Sequence, residues 1–128
     1  MSCGMIEQTR LGVREVLIGR IPSPPYENKW TFPGGPVEQG EAPEAALRRA
    51  LESLLGMKAI IHRGQPPFDQ PWDGVTLRWR YFFCEGREAD VHNHHYAEIR
   101  WVPVGSLREY DFDPVAQQVV DWMLEDQA

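Results

Sequence analysis

The chain has 128 residues, 42% hydrophobic and 25% charged, which is a globular composition and not a disordered one. Lys and Arg number 13 against 19 Asp and Glu, a net charge of −6, which argues against a broad phosphate-tracking grip on a nucleic acid polymer but leaves room for one small phosphorylated ligand. No apolar run approaches the roughly 18 residues of a membrane span, and residues Met1 to Arg10 lack the basic-then-apolar pattern of a secretory signal, so a single cytoplasmic domain with two reduced thiols, Cys3 and Cys84, is expected.

Cys3 to Gln8 and Val13 to Ile21 read as strands separated by a turn at Gly12. Ile21 to Asn28 holds three prolines and reads as a loop. Trp30 to Phe32 is a short extended piece stopped by Pro33, Gly34 and Gly35. Pro43 suits the first position of a helix, where its missing N–H costs nothing, and Glu44 to Leu55 reads as that helix, ended by Gly56. Ala59 to His62 is a short strand, and Gly64 to Gly74, again with three prolines, a long loop. Val75 to Cys84 alternates as a strand, with Val75, Leu77, Trp79, Tyr81 and Phe83 on one side and Arg78 and Arg80 on the other. A polar loop, Gly86 to Tyr96, leads to a strand at Ile99 to Val104. Asp113 caps a closing helix that runs to Glu125, with Pro114 at its first position and Val115, Val119, Trp122 and Met123 as its apolar stripe. The order strands, helix, strands, helix predicts an α+β fold, a mixed β-sheet sandwiched between α-helices.

Residues Trp30 to Met57, WTFPGGPVEQGEAPEAALRRALESLLGM, carry the most specific pattern. They resemble the Nudix box, G-x5-E-x7-R-E-U-x-E-E-x-G-U with U aliphatic, with unbroken spacing: Gly35, Glu41, Arg49, Leu51, Gly56 and Met57 fill their positions. The preceding W-x-F-P-G-G, the E-x-x-W-V segment from Glu98 to Val102 and the D-F-x-P segment from Asp111 to Pro114 are similar to the MutT-like branch of that family. The resemblance implies the Nudix fold and a hydrolase of nucleoside diphosphates linked to another group. Its cofactor would be Mg²⁺ or Mn²⁺ held by carboxylates of the box helix, polarising phosphate and activating water.

Three of the nine signature positions depart from the pattern. Acidic positions are filled by Ala50, Ser53 and Leu54. At about 100° per residue these three share one helix face, while Glu52 points roughly 200° from Ala50 and does not substitute for it. The carboxylates left for a metal are Glu38, Glu41 and Glu98. By resemblance Glu98, Glu41 and Arg49 are the catalytic candidates, with Glu41 and Arg49 in register to pair and tie the glycine loop to the helix. Arg20, Arg78 and Arg80 are candidate phosphate ligands, and Trp30, Phe32 and Trp72 candidate base-stacking side chains.

His92, His94 and His95 form a dense imidazole run, set against a plain polar loop because no further ligand stands at zinc-like spacing. The leading expectation is a protein that keeps a small phosphorylated ligand, a nucleotide, with weak or no hydrolysis, and that uses Mg²⁺ or Mn²⁺ only if it is active. Two alternatives stand beside it: an active metal-dependent hydrolase using Glu38, Glu41 and Glu98, and a structural or partner-binding module. A homodimer is left open.

Overall fold

The computed structural model describes residues 1–65 and 67–126; the side chains of Trp72, one of the expected stacking groups, and Asp126 lie outside the described residues. Eight strands and two main helices follow in the order β1 (Ser2–Arg10), β2 (Val13–Arg20), β3 (Trp30–Thr31), β4 (Gly34–Gly35), α1 (Pro43–Leu55), β5 (Ile60–Gly64), β6 (Phe68–Trp72), β7 (Val75–Glu85), β8 (Glu98–Pro103) and α2 (Pro114–Asp126). The strand path is β3-β2-β1-β7-β5, with β4 beside β1, β6 beside β7 and β8 beside β2. Among the described strands β1 and β7 run parallel and the other strand pairings are antiparallel, so the sheet is mixed.

Period-two alternation feeds two cores. Cys3 and Met5 of β1, Val16 and Ile18 of β2 and Tyr81 and Phe83 of β7 pack with Val115, Val119 and Met123 of α2. Ile6, Leu17 and Cys84 point the other way and pack with Leu47, Leu51 and Leu55 of α1. The expected α+β sandwich is therefore present.

Both helix ends follow the sequence. Pro43 opens α1, and Gly56, at φ 57°, closes it in the left-handed region. Asp113 accepts hydrogen bonds at 3.0 Å from the backbone N–H groups of Val115 and Ala116 and so caps α2.

The segment expected to be a long loop, Gly64 to Gly74, instead contains β6. Asp73 (φ 47°) and Gly74 (φ 78°) form a two-residue turn that places Trp72 opposite Val75. Pro71 is tolerated because β6 is an edge strand, where a missing N–H faces away from its neighbour. Gly34 and Gly35, expected only to end an extended piece, pair with Cys3 and Ser2. A Cβ on Gly34 would stand 2.1 Å from the Ser2 carbonyl oxygen, so the glycine is what lets this loop touch the sheet.

Candidate functional site

The loop before α1 is tied to the helix by one guanidinium. Arg49 donates from Nε to Glu41 Oε2 (3.0 Å), and from Nη2 to Glu41 Oε1 (2.9 Å) and to the Pro36 carbonyl (2.9 Å). The Glu38 backbone N–H donates to Glu41 at 3.1 Å, closing the turn. Arg49 beside it holds the Glu41 carboxyl below its ordinary pKa. Glu38 itself is 70% exposed and reaches Arg49 only at 3.8 Å.

Position 50 lies against the glycine loop: a Cβ on Gly35 would stand 3.1 Å from that of Ala50, which is 5% exposed. Ser53 is exposed and Leu54 half-buried against the α1-side core. Beyond the end of α1, the backbone N–H groups of His92 and His94 donate to the Leu55 and Leu54 carbonyls at 2.7 and 2.8 Å. Asn93 Oδ1 accepts from the N–H groups of His95 and Tyr96. The histidine run thus satisfies carbonyls that a helix end leaves open. Tyr96 is buried against Gly19, and its hydroxyl accepts from the Gly34 N–H at 3.3 Å. Neither role was readable in the sequence, because both depend on a fold that brings residues about 40 to 60 positions apart together.

On the opposite face, β2, β3 and β8 assemble a second cluster. Arg20 is in register with both Trp30 and Glu98. It donates to Asn28 Oδ1 at 2.8 Å and stands 3.6 Å from Glu98. Glu98 also accepts from Arg100 Nε at 2.5 Å. The Arg100 guanidinium lies over the Trp30 ring, 5.4 Å from its centroid, and over Tyr110 at 5.9 Å. Trp30 is 8% exposed and packs edge-on to Tyr110. Sequence analysis missed Asn28, Arg100 and Tyr110; the alternation of β8 was the available signal, since it sets Arg100 on the face of Glu98.

The expected residues therefore divide into separate groups. Arg20, Trp30 and Glu98 come together on the α2 side, while Glu38, Glu41 and Arg49 form the loop-to-helix tie on the α1 side. Phe32 is 1% exposed, stacked on Phe112 and edge-on to Tyr81, inside the core. Arg78 is engaged by Asp69, directly across the β6–β7 pair, at 2.9 Å, and this holds Asp69 below its usual pKa. Arg80 lies on the α1 face in register with Ser2. Among the described residues no three His, Cys, Asp or Glu side chains converge in a way that would hold a metal ion.

Comparisons with known proteins agree with this architecture. The NUDIX domain model matches residues 6–123. The nucleoside triphosphatase NudI of Escherichia fergusonii is 24% identical over 107 residues, covering 74% of this chain and 76% of that protein. The 8-oxo-dGTP diphosphatase of Haemophilus influenzae is 24% identical over 110 residues, covering 86% and 81%. The Nudix hydrolase RenU of M. smegmatis superposes with a TM-score of 0.83 at 18% identity, covering 98% of this chain and 83% of that one. With the family pattern spanning nearly every element of both layers, the chain belongs to the NUDIX domain family.

Proposed function

We propose that this Nudix domain binds a nucleotide or related phosphate and hydrolyses it weakly or not at all. The observation that carries the reading is the state of the carboxylates. Nudix hydrolases generally use divalent metals such as Mg²⁺, and such ions take several hard oxygen ligands. Here positions 50, 53 and 54 offer Ala, Ser and Leu. Both Glu41 oxygens are occupied by Arg49, and Glu98 is engaged by Arg100 and Arg20 on the far face of the sheet. This donor set does not fit a multi-metal centre.

The ligand reading rests on the Arg20, Trp30, Glu98 and Arg100 cluster. Two guanidiniums match phosphate geometry, and the indole beneath Arg100 offers a flat apolar surface once that side chain turns aside. The relatives named for a nucleoside triphosphatase and an 8-oxo-dGTP diphosphatase point to the nucleotide class. Their hydrolase names also favour a second reading, an active metal-dependent hydrolase.

Thermal melts with ATP, GTP and ADP-ribose, in EDTA and in Mg²⁺, test the proposal. A nucleotide is expected to raise Tm in EDTA, and Arg20→Ala to reduce that shift. A stabilisation seen only with metal and accompanied by turnover would favour the second reading, and no shift under any condition would reject nucleotide binding.

A further inference from the structure

A cavity lies away from the Arg20 cluster. It measures about 400 Å³ and is lined by Pro43 and Glu44 of α1, Gly64 and Gln65 at the end of β5, and Arg80 and Phe82 of β7. Its polar side chains include Arg80, Gln65 and Glu44. Arg80 is half-buried, and among the described residues no carboxylate lies within ion-pairing distance of it, although 12 of the 14 ion pairs among those residues use an arginine. Gln65 Nε2 is shielded from solvent and has no acceptor among the described residues. The hydroxyl of Ser2, a residue with no exposed surface, is likewise without a partner. Ser2 stands directly beside Arg80 across the parallel β1–β7 pair, with its side chain on the same face.

The nearby acids are already engaged. Glu44 faces Arg48 at 3.8 Å, and Asp69 is held by Arg78, with Arg80 near enough to lower its pKa further. A buried donor without an acceptor is costly, and the unpaired Gln65 amide beside the Arg80 guanidinium in the lining of one cavity calls for an acceptor that carries several oxygens. The volume falls within the range of small-molecule sites, about 300–1,000 Å³, and Phe82 and Pro43 supply an apolar wall.

We propose that the cavity between α1, β5 and β7 is an oxyanion site in which Arg80 and Gln65 hold the phosphate group of a small phosphate ester. The guanidinium supplies charge-assisted donors and the Gln65 amide a neutral one. The site is independent of the nucleotide reading above, because Arg20 lies on the other face of the sheet.

Calorimetric titration of the whole chain with phenyl phosphate and with inorganic phosphate tests it, together with the variants Arg80→Gln, Gln65→Leu, Arg78→Gln and Arg20→Ala. Phenyl phosphate is expected to bind, and Arg80→Gln to weaken it about tenfold or more, the loss expected for a charge-assisted hydrogen bond. Gln65→Leu should melt higher than the parent without ligand, since it removes a buried unpaired amide, yet bind phenyl phosphate less tightly. Arg78→Gln should leave the affinity unchanged, and the binding that Arg80→Gln weakens should persist in Arg20→Ala. Tighter binding of inorganic phosphate than of the ester would assign the same oxyanion site to free phosphate. Equal affinity in the parent and in both Arg80→Gln and Gln65→Leu, or no binding of either probe to the parent, overturns the proposal.

Discussion

Arg49 grips Glu41 with two parallel hydrogen bonds, 2.9 and 3.0 Å long, and the same guanidinium reaches the Pro36 carbonyl. One side chain thus joins the middle of α1 to both ends of the loop that follows the paired glycines. The geometry needs the planar fork of arginine, and lysine cannot reproduce it. The tie joins the loop to a helix whose positions 50, 53 and 54 carry Ala, Ser and Leu.

Arg49→Ala is expected to lower Tm clearly more than Glu52→Ala, a change on the exposed side of the same helix, and Arg49→Lys should recover only part of the loss. Equal, negligible shifts would reject the tie. The pH dependence has a definite sign. Arg49 lowers the Glu41 pKa in the folded state, so the contribution is present above the unfolded carboxylate pKa, about 4.3, and is lost as pH falls through the folded value. The difference in Tm between the parent and Arg49→Ala should therefore shrink on acidification.

Restoring acids to the box face should show which positions still have room. Ala50→Glu inserts a longer, charged side chain against Gly35 and is expected to cost about 1–3 kcal/mol from crowding alone. Ser53→Glu, at an exposed site, should lie within about 0.5 kcal/mol of the parent. The triple change Ala50→Glu, Ser53→Glu, Leu54→Glu is expected to melt lower and to bind Mn²⁺ more tightly in calorimetry. A folded triple variant with no gain in Mn²⁺ affinity would contradict the placement of that face.

Asp113→Ala removes the acceptor for two N–H groups at the start of α2. Urea unfolding should register a loss of about 1 kcal/mol, while Asp113→Asn keeps most of the stability because asparagine caps equally well. If Asp113→Asn is as damaging as Asp113→Ala, the capping account is wrong.

Burial pushes the thiols of Cys3 and Cys84 up to about 12, and burial also raises the hydroxyls of Tyr81 and Tyr96. Acids whose folded pKa is raised contribute stability in full below their unfolded pKa, and this is lost as pH rises toward the folded value. Melting temperature should therefore fall from about pH 8.5, the unfolded thiol value, toward pH 12. Neither cysteine should react with a thiol reagent at pH 8 until the chain is unfolded, and stoichiometric labelling of the native protein would contradict this.

The helices were legible because their ends use chemistry that is local in sequence, Pro43 with Gly56 and Asp113 with Pro114. The order of the layers followed from β2 and β7, whose alternation survives in the structure. β6 was hidden because Pro71 reads as a strand breaker unless its edge position is known, while the Asp73–Gly74 turn signal was outweighed by three prolines. In the candidate site, the Arg49–Glu41 pair was legible from spacing along one loop and helix. The separation of Arg20 from Arg80 was not, since strand alternation gives a side chain's parity but not which layer each parity faces. The same holds for the His92–His95 run, whose backbone caps α1 across more than 30 residues.

The most direct test of the central claim combines binding and turnover in one sample. ATP, GTP and ADP-ribose, each with Mg²⁺ and with Mn²⁺, are titrated into the protein by calorimetry, and the nucleotide is then recovered and analysed. The account predicts a saturable heat for at least one of them and a nucleotide recovered intact, with turnover far below the usual enzyme median of about 10 s⁻¹. Turnover at or near that median, with products of a cleaved diphosphate, would contradict it.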